Sequence, residues 1–126
     1  IPYEMANWSS GWTPNPPYLT KTIFDNILLK QDLFFEINPR TAKELGLKEN
    51  DYVDVNTKLG QVRMRVHLFE GAMPGVIYAP LGFGHIGYDE FIKGKGVNIS
   101  KVLWSEEDPV SGAPLWWGTK VKITRV

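Results

Sequence analysis

The clearest pattern is strict alternation at Val62, Met64, Val66 and Leu68, with Arg63, Arg65 and His67 between them. Period-2 alternation of this length predicts a half-buried strand. Upstream, Val53 and Val55 alternate with Asp54 and Asn56, and Lys58-Leu59-Gly60 reads as a tight reversal, so the two runs predict a hairpin. Leu33 to Ile37 is a short apolar run with β character. Asn38-Pro39 ends it and predicts a helix start, because Asn caps orphan N–H groups and Pro lacks the N–H the first turn does not use. Ala42, Leu45 and Gly46 then fit a two-turn helix with a glycine stop. Met73-Pro74-Gly75 predicts a turn, Val76 to Ala79 a fully apolar strand, and Lys120 to Thr124 an alternating C-terminal strand. Residues 1–20, with Trp8, Trp12, Pro14, Pro16, Pro17 and Tyr18, suit neither a helix interior nor a central strand. They predict an irregular lead-in packed over a core or turned toward a partner. Five or six short strands with one short helix predict a mainly β domain, a small mixed barrel.

Composition narrows the functional classes. The chain has 126 residues, 43% of them hydrophobic, which is one ordinary globular domain. Fourteen Lys and Arg balance fourteen Asp and Glu, so no basic excess argues for nucleic acid. Cys is absent, which removes disulfides, thiolate metal sites, iron–sulfur ligation and Cys nucleophiles together. No apolar run is long enough to span a bilayer as a helix. The chain begins at Ile1 rather than Met, which reads as a fragment or a processed chain.

Gly82-Phe83-Gly84-His85-Ile86-Gly87 has the spacing of a dinucleotide fingerprint after a strand. Its context fails: Gly94 and Gly96 leave only Tyr88 to Lys93 for a helix, too short for a parallel crossover. The glycines still permit positive φ and close approach of backbone N–H groups to an anion, or simply a tight turn. His67 is expected to point to solvent; His85 lies within the glycine loop. Two separate His residues make no transition-metal site. There is no nucleophile elbow, and Gly94-Lys95-Gly96 is not a phosphate-binding P-loop. Glu106-Glu107-Asp108 reads as a solvated loop. Trp104, Trp116 and Trp117 suit core, interface or ring stacking. The residues by themselves thus describe a β-rich domain with a glycine loop, without a reaction.

An ordered set of segments adds to this. Glu36-Ile37-Asn38-Pro39, Thr41-Ala42, Leu45-Gly46-Leu47, Asn50-Asp51 with Val53 and Val55, and Gly60 with Val62 resemble the first half of the molybdopterin dinucleotide-binding domain. That is the C-terminal domain of the dimethyl-sulfoxide-reductase superfamily. Pro74-Gly75-Val76, Pro80, Gly82 to Gly84, Gly96-Val97-Asn98 and Asp108 to Pro114 resemble its second half. The glycine loop with His85, together with Tyr88 and Gly96 to Asn98, is most similar to the polysulfide, thiosulfate and menaquinone-linked reductase branch.

The resemblance implies a double-psi β-barrel over residues 31–126, with residues 1–30 packed on it. It implies a bis(molybdopterin guanine dinucleotide) cofactor carrying Mo or W, in an oxidoreductase whose metal ligand and iron–sulfur cysteines lie on other domains. Cofactor contacts are expected from Gly82, Phe83, Gly84, His85 and Asn98, with Trp117 where some members place a Lys, and Asn15 where many place a Thr-Gly-Arg stretch. The implied partners are the other domains of a parent chain, and iron–sulfur and membrane-anchor subunits, in a periplasmic or membrane-associated setting. Two alternatives are a cofactor-free structural domain of an oxidoreductase-like subunit, and a carbohydrate binder stacking sugars on Trp8, Trp12, Trp116 and Trp117.

Overall fold

A computed structural model describes residues 1–6, 17–87 and 90–126, with the side chains of residues 17 and 18 left aside. Seven strands form one mixed sheet: β1 (Pro2–Tyr3), β2 (Leu28–Leu29), β3 (Asp32–Ile37), β4 (Tyr52–Asn56), β5 (Gln61–Leu68), β6 (Ile77–Pro80) and β7 (Lys122–Arg125). Two short helices are α1 (Pro17–Thr20) and α2 (Pro39–Glu44). Pairing runs β1-β6-β3-β5-β4-β7, with β2 joined to β3. β3 is parallel to β5 and antiparallel to β6, while β4 is antiparallel to both β5 and β7. By strand pairing the architecture is therefore an open mixed sheet. It is curled, however: Pro2 and Ala79 from one end, Val55, Val62 and Met64 from the other, and Ile99, Val102 and Val121 line one apolar cavity of about 30 Å³.

The predicted elements form for the expected local reasons. Asn38 is extended, its side chain accepts from the Arg40 N–H at 2.9 Å, and Pro39 opens α2. Asn38 Nδ2 also donates to the Ala72 carbonyl at 2.9 Å, which ties the helix start to the loop before β6. Gly46 takes φ +69° just past the helix, a region closed to most side chains. The β4–β5 hairpin has Val55 opposite Val62 and Val53 opposite Met64, which places both apolar sets on one face.

Leu33, Phe35, Ile37, Val53 and Val66 are almost wholly buried at the centre of the core. Each stabilises the fold by roughly 1.5–3 kcal/mol over an exposed position. The opposite face is charged but paired. Arg65 lies over the Phe34 ring (5.0 Å) and the Tyr52 ring (4.9 Å) and meets Asp32 at 3.4 Å.

Some elements differ from the sequence expectation. The lead-in contributes β1, which pairs in parallel with β6, and α1; neither was foreseen. β2 was also missed. It folds onto β3 through the two-residue turn Lys30-Gln31, with Lys30 at φ +57°. The Val76 to Ala79 strand begins at Ile77, and the C-terminal strand begins at Lys122. The expectations for Trp8, Trp12, Asn15 and Tyr88 lie outside the described residues.

Candidate functional site

The glycine loop leaves the end of β6 and immediately folds against a second loop. Gly82 and Gly84 take φ +95° and +77°. These values turn the chain so that Phe83, between them, points into the core, where it is 3% exposed. A Cβ on Gly84 would lie 2.1 Å from the Asn98 backbone nitrogen and 2.4 Å from the Val97 carbonyl carbon. A Cβ on Gly96 would lie 2.8 Å from Phe83 Cβ. The two loops thus touch backbone to backbone at Gly84 and through the Phe83 side chain at Gly96, and both approaches leave no room for a Cβ. Hydrogen bonds complete the junction. Gly84 N–H donates to Lys95 O (2.9 Å), Gly94 N–H to His85 O (3.2 Å), and Gly96 N–H to Gln31 O (3.0 Å) at the β2–β3 turn.

Phe83, Gly84, His85 and Asn98 are therefore brought together. Asn98 is half-buried and extended, and it caps the short 3-10 helix Ile99–Lys101. Its Oδ1 accepts from the Ser100 N–H at 3.0 Å. The cap engages the oxygen, and Nδ2 has no hydrogen-bond partner among the described residues. His85 turns back on its own loop: Nε2 donates to the Gly82 carbonyl at 3.1 Å.

The sequence left the loop glycines open between amides offered to an anion and a simple tight turn; the Gly84 N–H is bonded internally, to Lys95 O. Gly84 serves close packing. The amides of Gly82, Ile86 and Gly87 carry no hydrogen bond among the described residues and remain available.

Trp117 is placed elsewhere. It lines a cavity of about 530 Å³ with Ile1, Val76, Ile77 and Val121, which contains none of the glycine-loop residues. It packs edge-on against Trp116, with ring centroids 5.6 Å apart at 75°, so the pair presents no single flat stacking face. Asn15 lies outside the described residues.

His67 does not project into solvent as expected. Its Nδ1 meets Glu49 Oε1 at 3.1 Å, and its Nε2 meets Asn26 Nδ2 at 3.1 Å. A carboxylate can only accept, so Nδ1 donates to Glu49. Glu49 Oε2 in turn accepts from the Leu68 N–H. Glu36, paired with His67 across β3 and β5, has its carboxyl pKa raised by burial, with His67 acting in the opposite direction. The Tyr3 hydroxyl is pushed up to about 12 by burial and by the Glu36 charge. This cluster was invisible in sequence because its members come from five separate segments. Glu106 and Glu107 are exposed, as a solvated loop requires, and Asp108 caps the loop through Val110 and Ser111. No group of three or more His, Asp or Glu among the described residues is placed to hold a metal ion. No described helix is long and apolar enough to cross a membrane.

Comparison with known proteins decides the family. The model of the "Molydopterin dinucleotide binding domain" matches residues 14–118, which spans most of the chain. The chain belongs to that family. Among its relatives is the menaquinone reductase, molybdopterin-binding-like subunit of Nitratidesulfovibrio vulgaris, 38% identical over 98% of this chain and 18% of the relative. Another is the arsenate respiratory reductase molybdopterin-containing subunit of Chrysiogenes arsenatis, 31% identical over 77% of this chain and 12% of the relative. A tetrathionate reductase subunit of Salmonella typhimurium is 30% identical over 71% of this chain and 11% of the relative. In structure, acetylene hydratase from Pelobacter acetylenicus matches with a TM-score of 0.68 at 21% identity, over all of this chain and 18% of that one. That likeness shows the fold. This molybdopterin dinucleotide-binding domain spans less than a fifth of the length of each of these relatives.

Proposed function

We propose that this domain binds and orients a molybdopterin guanine dinucleotide carrying Mo or W, as the C-terminal domain of a longer oxidoreductase. The observation that carries the site is the Gly84–Asn98 junction. It combines a backbone approach that a Cβ would fill with one half-buried amide donor, Asn98 Nδ2, that has no partner among the described residues. The N–H groups of Gly82, Ile86 and Gly87, without a hydrogen bond among the described residues, lie on the same loop and are the donors available to an anion. A pterin edge offers acceptors that Asn98 Nδ2 can satisfy. Phe83 anchors the loop from below, and His85, held by Gly82, stiffens it. The redox chemistry belongs to the bound group; this chain supplies binding and orientation. We also read the curled sheet as a double-psi β-barrel over residues 31–126, with residues 1–30 packed on it. The convergence of both sheet ends on one cavity supports that reading. Iron–sulfur and membrane-anchor subunits would then be the electron-transfer partners.

The test uses the full-length polypeptide with Asn98→Asp. Aspartate keeps the oxygen that caps Ser100 and removes the donor. Loss of one hydrogen bond to a half-buried acceptor costs about 1–3 kcal/mol, so metal and guanine content should fall roughly fivefold or more under limiting cofactor. Unchanged occupancy removes Asn98 from the site. A second reading, a domain that serves structure alone, draws on the "binding-like" name of one relative. It requires natively purified parent protein with neither metal nor guanine nucleotide.

A further inference from the structure

One lysine beside the glycine loop has no role in the site as built so far. Lys95 stands between Gly94 and Gly96, which take φ +72° and +70°. The chain turns sharply on both sides of it, and backbone bonds pin the turn. Lys95 N–H donates to Ile92 O (3.2 Å), Lys95 O accepts from Gly84 N–H (2.9 Å), and Gly96 N–H donates to Gln31 O (3.0 Å). Lys95 is thus bonded directly to Gly84, the glycine whose missing Cβ lets the two loops meet.

Its side chain is placed as well. The ammonium lies 3.9 Å from the centroid of the Phe91 ring, a cation–π distance. A ring face takes up one side of an ammonium and leaves N–H donors on the other. Lys95 is half-buried, and it has no ion-pair partner among the described residues. Its neighbour differs: Lys93 meets Glu90 at 3.3 Å, and both side chains are exposed. One cation of this turn is neutralised from within, and the more buried one keeps its charge uncompensated. Position matters too. The bonds from Gly84 N–H to Lys95 O and from Gly94 N–H to His85 O close residues 84–95 into a single loop. Ile86 and Gly87, whose amides carry no hydrogen bond among the described residues, share that loop with Phe91 and the ammonium over it.

Partial burial of a charge without a counter-ion is unfavourable, and an incoming anion offsets that cost. Amides alone offer dipoles, whereas an ammonium adds a charge-assisted bond, shorter and stronger than a neutral one. We propose that Lys95 is an anion-binding residue of this site, its ammonium supplying the fixed positive charge for a diphosphate to which the amides of Gly82, Ile86 and Gly87 donate. This deepens the cofactor reading and rests on it for the identity of the diphosphate.

The test uses full-length polypeptide produced without cofactor, as parent, Lys95→Met and Lys95→Arg. Inorganic pyrophosphate is the probe, followed by isothermal titration calorimetry. Methionine keeps an unbranched stem over Phe91 and removes the charge. Pyrophosphate should bind Lys95→Met roughly tenfold more weakly than the parent, and Lys95→Arg within about threefold of it. Because the lost contact is between charges, added salt should weaken the parent more than Lys95→Met. Equal affinity in parent and Lys95→Met overturns the proposal, as does a parent that binds no pyrophosphate. A Lys95→Arg chain no tighter than Lys95→Met also overturns it, since charge would then not be what binds. Metal and guanine analysis of the natively purified parent separates this inference from the reading beneath it. Lys95-dependent pyrophosphate binding in a protein that natively holds neither metal nor guanine keeps Lys95 as an anion residue and sinks the cofactor assignment. A natively loaded protein whose pyrophosphate affinity ignores Lys95 does the reverse.

Discussion

Replacing Gly84 with Ala tests the junction on which the site depends. Two costs are expected. Ala at φ +77° enters the left-handed region, at about 1–2 kcal/mol. The new methyl would also lie 2.1 Å from the Asn98 nitrogen and 2.8 Å from Val97 Cα. That neighbour is backbone, tethered by the Asn98 cap on Ser100 and by the Lys101 N–H bond to Asn98 O, so it cannot simply rotate away. Overpacking of this kind adds roughly 1–3 kcal/mol. Gly94→Ala is the matched control. It has φ +72° and nothing within 4 Å of the added Cβ, so it carries only the first cost. With about 3–5 °C of melting temperature per kcal/mol for a chain of this size, Gly84→Ala should melt about 6–25 °C below the parent and Gly94→Ala about 3–10 °C below. The assay is thermal unfolding of both variants by far-ultraviolet circular dichroism, with denaturant titration to convert shifts to free energy. A difference between the two variants of less than about 0.5 kcal/mol would refute the claim that the loops touch backbone to backbone, since only the shared φ cost would remain.

Other expectations follow from the same geometry. Tyr3 holds its proton up to about 12 in the fold against 10.0 as a free side chain, so the folded state binds the proton more tightly. Stability from this source is complete below pH 10 and is lost as pH rises toward 12; denaturant midpoints across that range should fall in the parent and flatten in Tyr3→Phe. Asn38→Ala removes the helix cap and the Ala72 tether, and should cost about 1–2 kcal/mol in chemical denaturation. Arg65→Lys keeps the charge opposite Asp32 but loses the planar contact with Phe34 and Tyr52, for a loss of roughly 0.5–1 kcal/mol; an unchanged midpoint would show that the stacking contributes nothing.

The legible parts of the fold were those whose cause is local. Alternation at Val62 to Leu68 and the Asn38-Pro39 cap each act within a few residues, and both elements formed where the pattern put them. β1 and β2 are two-residue strands whose only reason to exist is a partner, Ala79 and Pro80 for one and the start of β3 for the other. No periodicity can mark them. The site divides the same way. Glycine spacing showed that a special loop follows β6, but the role of Gly84 depends on Val97 and Asn98, which only the tertiary fold brings into contact. The spacing allowed either an anion loop or a tight turn and could not say which glycine amide the fold would use internally. His67 misled for a related reason. Its strand parity was read correctly, but Glu49 and Asn26 arrive from elsewhere and cover it. Trp117 was placed by its position in the family pattern alone, and its own surroundings are a different cavity.

Phe83 ties the loop's shape to the fate of the whole hydrophobic interior. A loop rooted this way has its geometry settled when the chain folds, before any guest arrives. For the cofactor site proposed here, recognition would then be a matter of fit to a loop anchored in the core rather than of closure around the guest. Swapping that phenylalanine for a smaller residue would loosen discrimination before it abolished attachment, because the donors would remain while their spacing drifted.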